Sequence, residues 1–271
     1  MISRFRIRKI CQMCILVAAI PVFIAAGKII TSAIVDWDKI IAVKSRTGWT
    51  RNLYKGATRS LDMLEIQAFT LHPGKATHSH VVDRQNDEVY LVKEGAAEIS
   101  INNISRHLGE GGVAVAVQDN RIMIINKGSS NLVYYSIRLK PKYVKPTGKT
   151  TRKDKPILAL TDTLKSEPTL DGTLRSINNR ATPSLHNLDI HVFSLKTDFN
   201  RLEPQTHTEE ELVVITKGNI FGSLRNKPYR LGHGSFLFLT NEDPFEISNG
   251  SPAECEYYVI RWLAWSQESK K

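Results

Sequence analysis

The sequence predicts an all-β protein built from two copies of one small sandwich or barrel. Three observations carry this: a long internal repeat, short stretches that alternate apolar and polar residues, and the absence of any three-turn amphipathic helical pattern. Gly48–Leu71 (GWTRNLYKGATRSLDMLEIQAFTL) aligns with Gly172–Leu195 (GTLRSINNRATPSLHNLDIHVFSL) at an offset of 124, with ten of 24 positions identical. The register then holds at 123. Glu88 falls on Glu211, Gly95 on Gly218, Leu108-Gly109 on Leu231-Gly232, Asn126 on Asn249 and Tyr134-Tyr135 on Tyr257-Tyr258. A match kept over so many residues means two copies of one domain.

Each copy reads as strands. Leu64–Leu71 and Leu188–Leu195 alternate with period two. Glu88–Val92 and Glu211–Thr216 are short β-rich runs that end at Lys-Glu-Gly and Thr-Lys-Gly turns, and Ala97–Ile101 is a further strand. Glycine turns at Gly109–Gly112 and Gly232–Gly234 precede the apolar runs Val113–Val117 and Ser235–Leu239. Ile122–Asn126 and Phe245–Asn249 follow, then Asn131–Leu139 and Glu254–Trp262. Short strands punctuated by Gly, Asn and Pro suit a sandwich or small barrel.

The first 33 residues form a leader. A basic start (MISRFRIRK) precedes Ile10–Ala26, apolar apart from Gln12, and small residues end at Thr31-Ser32-Ala33. This reads as a secretory signal cut after Ala33. An apolar run of 17 residues is also at the short edge of a membrane span, so an uncut anchor is the alternative. Both place the barrels outside the cytoplasm, periplasmic or extracellular, with membrane contact only through an uncleaved N-terminal segment. Cys11 and Cys14 lie in the leader and Cys255 stands alone after it, so no internal disulfide is expected in a processed chain.

The net charge of +10 has a local origin. Residues 1–9 carry four positive charges, and Lys140–Lys155 carries a net six, which leaves the remainder neutral. Neither repeat is a basic domain, so nucleic acid is not an expected partner. The basic, Pro- and Lys-rich stretch 141–156 reads as a solvated linker. Domains follow as 45–140 and 157–265.

The chemistry concentrates in the second copy. Gln205-Thr-His207 is followed by three residues, Glu211, six residues and Gly218, then by Leu231-Gly232-x-Gly234, Pro244-Phe245 and Asn249. This pattern resembles the cupin superfamily, and the two-copy chain resembles bicupins grouped with ureidoglycine aminohydrolases. The resemblance spans about residues 45–265 and implies two tandem double-stranded β-helix (cupin, jelly-roll) barrels packed as an intramolecular pseudo-dimer. It also implies a metal held by two histidines and a glutamate of the first motif and a histidine of the second. Residues two apart on a strand share a face, so Gln205 and His207 point the same way and a tight turn returns Glu211.

The chain departs from that pattern. The first His is Gln205, a weak neutral donor, and the place of the fourth ligand is Phe245, leaving His207 and Glu211. In the first copy Glu88 and Gly95 keep their spacing, the fourth place is Ile122, and a constant offset puts Val82 and Arg84 in the two His places. His78-Ser-His80 lies upstream, seven residues from Glu88. One reading puts His78 and His80 at a polar strand end near the pocket mouth. The rival makes His78, His80 and Glu88 a three-ligand site through a longer turn at Val81–Asp87. The expected cofactor is none, or one weakly bound divalent ion of Mn, Fe, Ni or Zn.

Other candidates have ordinary readings. A solvated turn accounts for Glu209 and Glu210. Arg138 and Arg261, paired by the repeat, suit surface or inter-domain salt bridges, with an anionic ligand as the alternative. Trp49, Trp262 and Trp265 suit packing before a sugar pocket. His186, His191 or His233 could replace lost ligands. The leading expectation is an exported bicupin that binds a small polar ligand of the sugar or sugar-acid class, as a monomer or homodimer. A metal-dependent enzyme of aminohydrolase, isomerase or dioxygenase type, using one surviving site, is the first alternative. A structural or assembly role is the second.

Overall fold

The structure is a computed structural model that describes residues 29–144, 156–197, 199, 204–249 and 251–265. Most of the leader and the centre of the basic linker lie outside the described residues. The chain forms two tandem double-stranded β-helix barrels of the cupin, jelly-roll type. In the first, a seven-stranded sheet runs in the order Ile157–Ala159, Val113–Ala116, Asp87–Glu94, Leu132–Pro141, Leu61–Leu71, Gly48–Gly56, Val43–Lys44. A four-stranded sheet of His80–Val81, Arg121–Ile125, Ala97–Ile101 and Ile104–Leu108 closes it. In the second, the large sheet is Ala33–Val35, Phe236–Leu239, Glu210–Lys217, Cys255–Ala264, Leu185–Leu195, Gly172–Arg180, Glu167–Pro168. A hairpin of Asn219–Leu224 and Lys227–Gly232 closes that one.

The long strands are buried on both faces, and their period of two decides which residue goes where. On Leu61–Leu71, Leu64, Ile66 and Ala68 face the partner barrel, while Leu71 faces the interior of its own barrel with Phe69 packed beside it. Val89 and Leu91 face the partner, whereas Tyr90 and Val92 face inward. The second barrel repeats this with Leu212 and Val214 outward and Val213 and Ile215 inward. The two large sheets therefore pack face to face, as Leu64, Ile66, Val89 and Ile137 join Ile190, Val192, Phe236 and Ile260 in one continuous core. Gly95 and Gly218 end the equivalent strands at φ of 77° and 69°, a left-handed turn that favours glycine.

Phe245–Asn249 is not a regular strand. It joins its neighbours only through isolated bridges, Gln205 to Phe245, Phe221 to Ser248 and Leu224 to Phe245. Pro244 has no N–H to extend the ladder upstream. The strands Gly48–Gly56 and Gly172–Arg180 have weak alternation, and their positions are set by pairing along Leu61–Leu71 and Leu185–Leu195.

The barrels exchange strands. Ala33–Val35 precedes the first repeat but pairs with Phe236–Leu239 of the second barrel. Ile157–Ala159 precedes the second repeat but pairs with Val113–Ala116 of the first. Other contacts follow the same pseudo-twofold. Tyr135 donates to the Gly234 carbonyl at 2.6 Å, and Tyr258 donates to the Gly111 carbonyl at 2.7 Å. Thr182 donates to Asp87, and Thr58 donates to Glu210 at 2.7 Å. Glu210 is therefore no part of a solvated turn: it is buried and also accepts from the Arg59 amide at 2.7 Å, Ser60 Oγ and Trp262 Nε1. It stands one residue from Glu211, so the strand aims it at the seam and Glu211 at the pocket. Trp262 is correspondingly core, stacked on Phe238.

Residues just before the barrels hold both together. Ile30 is buried, its amide donates to Ala57 O at 2.8 Å, and Ser32 Oγ accepts from the Thr240 amide at 2.8 Å. A cut after Ala33 would fall inside the exchanged strand. A chain starting at residue 34 should melt roughly 5–10 °C below one starting at 29, because burying one isoleucine is worth about 1.5–3 kcal/mol before hydrogen bonds are added. Equal melting temperatures by circular dichroism would refute this. Glu210→Ala should cost about 3 kcal/mol by leaving several buried donors without an acceptor, while Glu209→Ala should stay within about 0.5 kcal/mol. Denaturant melts of the two variants decide the matter.

Candidate functional site

Each barrel holds a cavity beside the glutamate of its motif, lined in the first by His80, Tyr90 and Arg138, which bond Glu88, and in the second by Glu211 itself. In the first, Glu88 points inward and is 2% exposed. His80 sits opposite Ile122 on the neighbouring strand and places Nε2 2.9 Å from Glu88 Oε2. Tyr90, two residues along on the same face, donates to that oxygen at 2.5 Å. Arg138 lies across the ladder from both Glu65 and Glu88. Its Nε donates to Glu88 Oε1 at 3.1 Å and its Nη1 to Glu65 Oε2 at 3.0 Å.

The second barrel copies this plan. Arg261 lies across from Asp189 and Glu211. Its Nε and Nη2 donate to Glu211 Oε2 at 3.0 and 2.8 Å, and His207 Nε2 lies 3.0 Å from Glu211 Oε1. Phe245 packs on the His207 ring at a centroid distance of 5.0 Å and supplies an apolar wall. Gln205 lines the same cavity, and His191 bonds Asp189 at 3.3 Å beside it. His186 packs instead on Trp265, and His233 bonds the Thr216 carbonyl, so neither belongs to the constellation.

The pairing corrects the constant offset in the first copy. His80 faces Ile122 as Gln205 faces Phe245, so His80, and not Val82, holds the place of Gln205. Val82 is buried core, and Arg84 pairs with Asp119 on the surface. Seven residues separate His80 from Glu88 where five separate Gln205 from Glu211, and the longer turn absorbs the difference. That turn brings His80 to Glu88. His78 reaches the cavity wall, but its Nε2 accepts from Arg46 at 2.6 Å. The two arginines also depart from the surface role: both lie inside their own barrel, on the motif glutamate. The sequence signal for them was an acid kept at two repeated places, Glu65/Asp189 and Glu88/Glu211, together with the repeated arginine Arg138/Arg261.

This donor set does not fit a divalent ion as it stands. In each barrel the motif histidine and the motif glutamate are bonded to each other, while His78 is taken up by Arg46 and His191 by Asp189. A histidine nitrogen that faces a carboxylate carries its proton there, so the Nε2 that would ligate is a donor. A guanidinium already neutralises the carboxylate. Among the described residues no group of three or more His, Cys, Asp or Glu stands close enough to hold a metal.

The cavities measure about 350 Å³ in the first barrel and 390 Å³ in the second, the size range of small-molecule sites. Their walls combine rings with hydroxyls and amides. Phe69 stacks on Tyr134 at 5.5 Å opposite Thr77 and Ser136. Phe193, Tyr257 and Phe245 stand with Ser176 and Asn179. Burial pushes the Glu88 carboxyl up, but the hydrogen bonds of Tyr90 and His80 and the charges of His80 and Arg138 outweigh it and hold it below the usual carboxylate range. Burial and the neighbouring Glu88 charge push the Tyr90 hydroxyl well up, so it stays a donor.

Comparison with known proteins places these cavities in context. The family model of the AraC-like ligand-binding domain matches residues 187–262, most of the second barrel. No curated protein sequence matches the chain. Among solved structures, oxalate decarboxylase of Lactobacillus farciminis in a formate complex is similar with a TM-score of 0.68 at 11% identity, over 89% of this chain and 88% of that one. Protein Ylba of E. coli gives 0.67 at 13%, over 88% and 93%. Vicilin of hazelnut (Corylus avellana) gives 0.62 at 12%, over 85% and 85%. At these identities the likeness is one of fold.

A lowered carboxyl value stabilises the fold above the ordinary carboxyl pKa, and that stability is lost as pH falls through the lower folded value. The melting temperature of the protein should therefore fall as the pH drops below the ordinary carboxyl value, and Glu88→Gln should flatten part of that fall. Identical pH profiles for the two proteins would show that the Glu88 cluster adds no pH-linked stability.

Proposed function

We propose that the protein is an exported two-barrel binder of small polar molecules of the sugar or sugar-acid class, and that its barrels work without a metal. One observation carries the reading: in both barrels an arginine occupies the motif glutamate, Arg138 on Glu88 and Arg261 on Glu211. A fixed cation of that kind holds the glutamate as a structural anion and leaves the cavity walls to recognise the ligand. Aromatic rings suit the CH face of a sugar, and the amides and hydroxyls beside them suit its OH groups. The AraC-like ligand-binding match over the second barrel supports the binding of a small molecule there. Export follows from the leader pattern in the sequence.

The arrangement also explains how affinity could be tuned without chemistry. Arg261 keeps Glu211 in place, Glu211 orients His207, and His207 with Phe245 and Gln205 forms one side of the cavity. His207 and Gln205 are the residues placed to touch a ligand, and Arg261 acts through Glu211.

Calorimetric titration of the full chain with a panel of hexoses and hexonic acids tests this. Saturable binding should persist unchanged in excess EDTA, and His207→Ala should weaken binding in the second barrel about tenfold, equivalent to the loss of one to two hydrogen bonds. Elemental analysis should show metal well below one per chain. Stoichiometric metal whose removal abolishes binding would instead establish a metal-dependent barrel, with His207, Glu211 and Gln205 or His80 and Glu88 as its ligands.

A further inference from the structure

The repeat exposes a place where the two barrels differ on their outer surface. Arg51 and Arg175 are equivalent and identical. In the second barrel Arg175 is satisfied: it bonds Glu256, reaches Ser194 Oγ at 3.4 Å and lies 3.7 Å from Asp162. In the first barrel the place of Glu256 is Val133 and the place of Ser194 is Thr70. Arg51 instead lies over the Trp37 ring, 4.5 Å from its centroid, and its Nε is buried with no hydrogen-bond partner. A hollow of about 420 Å³ opens there, lined by Trp49, Arg51, Thr70, Glu94 and Asn131 beside Trp37.

The groups around it have defined chemistry. Trp49 is 36% exposed and stands edge-on to His72, so part of its ring is available as a platform. Asn131 bonds His72 through its carbonyl oxygen at 3.0 Å, which leaves its NH₂ for another acceptor. Glu94 is paired with the buried Lys93, whose ammonium also lies 4.5 Å from the Trp37 centroid. Glu94 can accept hydroxyls but repels a second anion, so an anionic group belongs at the Arg51 end and hydroxyls belong at the Glu94 end. A flat CH face belongs on Trp49.

We propose that this hollow is a second ligand site, separate from the barrel cavities, and that it takes a hydroxylated carboxylate of the hexuronate class. The carboxylate meets the Arg51 fork, where paired donors match its two oxygens. The ring hydroxyls meet Glu94 and Asn131, and the CH face covers Trp49. The second barrel has no counterpart because Glu256 already plays the part of the ligand carboxylate on Arg175.

The test is calorimetric titration of the full chain with D-glucuronate, with D-glucose as the neutral control and tryptophan fluorescence as a second readout. Glucuronate should change the tryptophan fluorescence saturably and glucose at least tenfold more weakly, because the hollow is lined by Trp37 and Trp49 whereas the barrel cavities, which take neutral hexoses, are lined by no tryptophan among the described residues. Arg51→Met should reduce glucuronate affinity at least tenfold. So should Val133→Glu combined with Glu94→Lys, which copies the Glu256 and Lys217 arrangement of the second barrel and keeps Arg51 partnered. Trp49→Phe should remove most of the glucuronate-induced fluorescence change, which separates this site from the barrel cavities. Absence of a saturable glucuronate-induced fluorescence change, an equal response to glucose, or a response that survives both changes at the hollow would overturn the proposal.

Discussion

The face-to-face packing of the two large sheets is the constraint from which the rest of the molecule follows. Every central strand is buried twice, once against its own barrel interior and once against the other barrel. Leu64, Ile66, Val89 and Ile137 on one side and Ile190, Val214, Phe236 and Ile260 on the other are removed from water by that contact alone. A strand committed on both faces cannot slip by one residue, because a slip would move its interior set to the seam and its seam set to the interior. The register that places Glu88 and Glu211 inside the barrels is therefore fixed by apolar residues that never touch the cavities.

The same alternation explains the adjacent acids. Asp87 and Glu88 point to opposite faces, as do Glu210 and Glu211. One member of each pair meets the turn of the other barrel at Thr182 or Thr58, and the other meets an arginine in its own cavity. Buried carboxylates without such partners would be prohibitively costly. The strand exchange adds to the coupling: each barrel is completed by a segment that precedes its neighbour in sequence. Neither barrel is a closed unit, and stability belongs to the pair.

Within the cavities, a guanidinium stands on the carboxylate that the motif would devote to metal. The substitution changes what the site can do. A metal offers open coordination positions, whereas an arginine offers a fixed planar fork already engaged by Glu88 or Glu211. What remains available is wall chemistry: rings, amides, hydroxyls and the outer edge of one histidine. On the outside, Val133 stands where the second barrel has Glu256, so Arg51 lacks the carboxylate that Arg175 bonds.

The amino-acid sequence by itself determined the two-copy organisation, the main strands and the inward-facing sets, because these are written in local periodicity and in a repeat offset. It also located His207 beside Glu211, since a five-residue span across a tight turn leaves little choice. The tertiary structure decided what depends on distant pairing. It seated His80 opposite Ile122, brought it to Glu88 across a longer turn and left His78 with Arg46. It drew Arg138 and Arg261 inward and buried Glu210 at the seam. It also gave Ala33–Val35 to one barrel and Ile157–Ala159 to the other. Side-chain periodicity has a range of a few residues, whereas sheet order and register arise from contacts between segments from about forty to about two hundred residues apart, and no local pattern encodes which of them will meet.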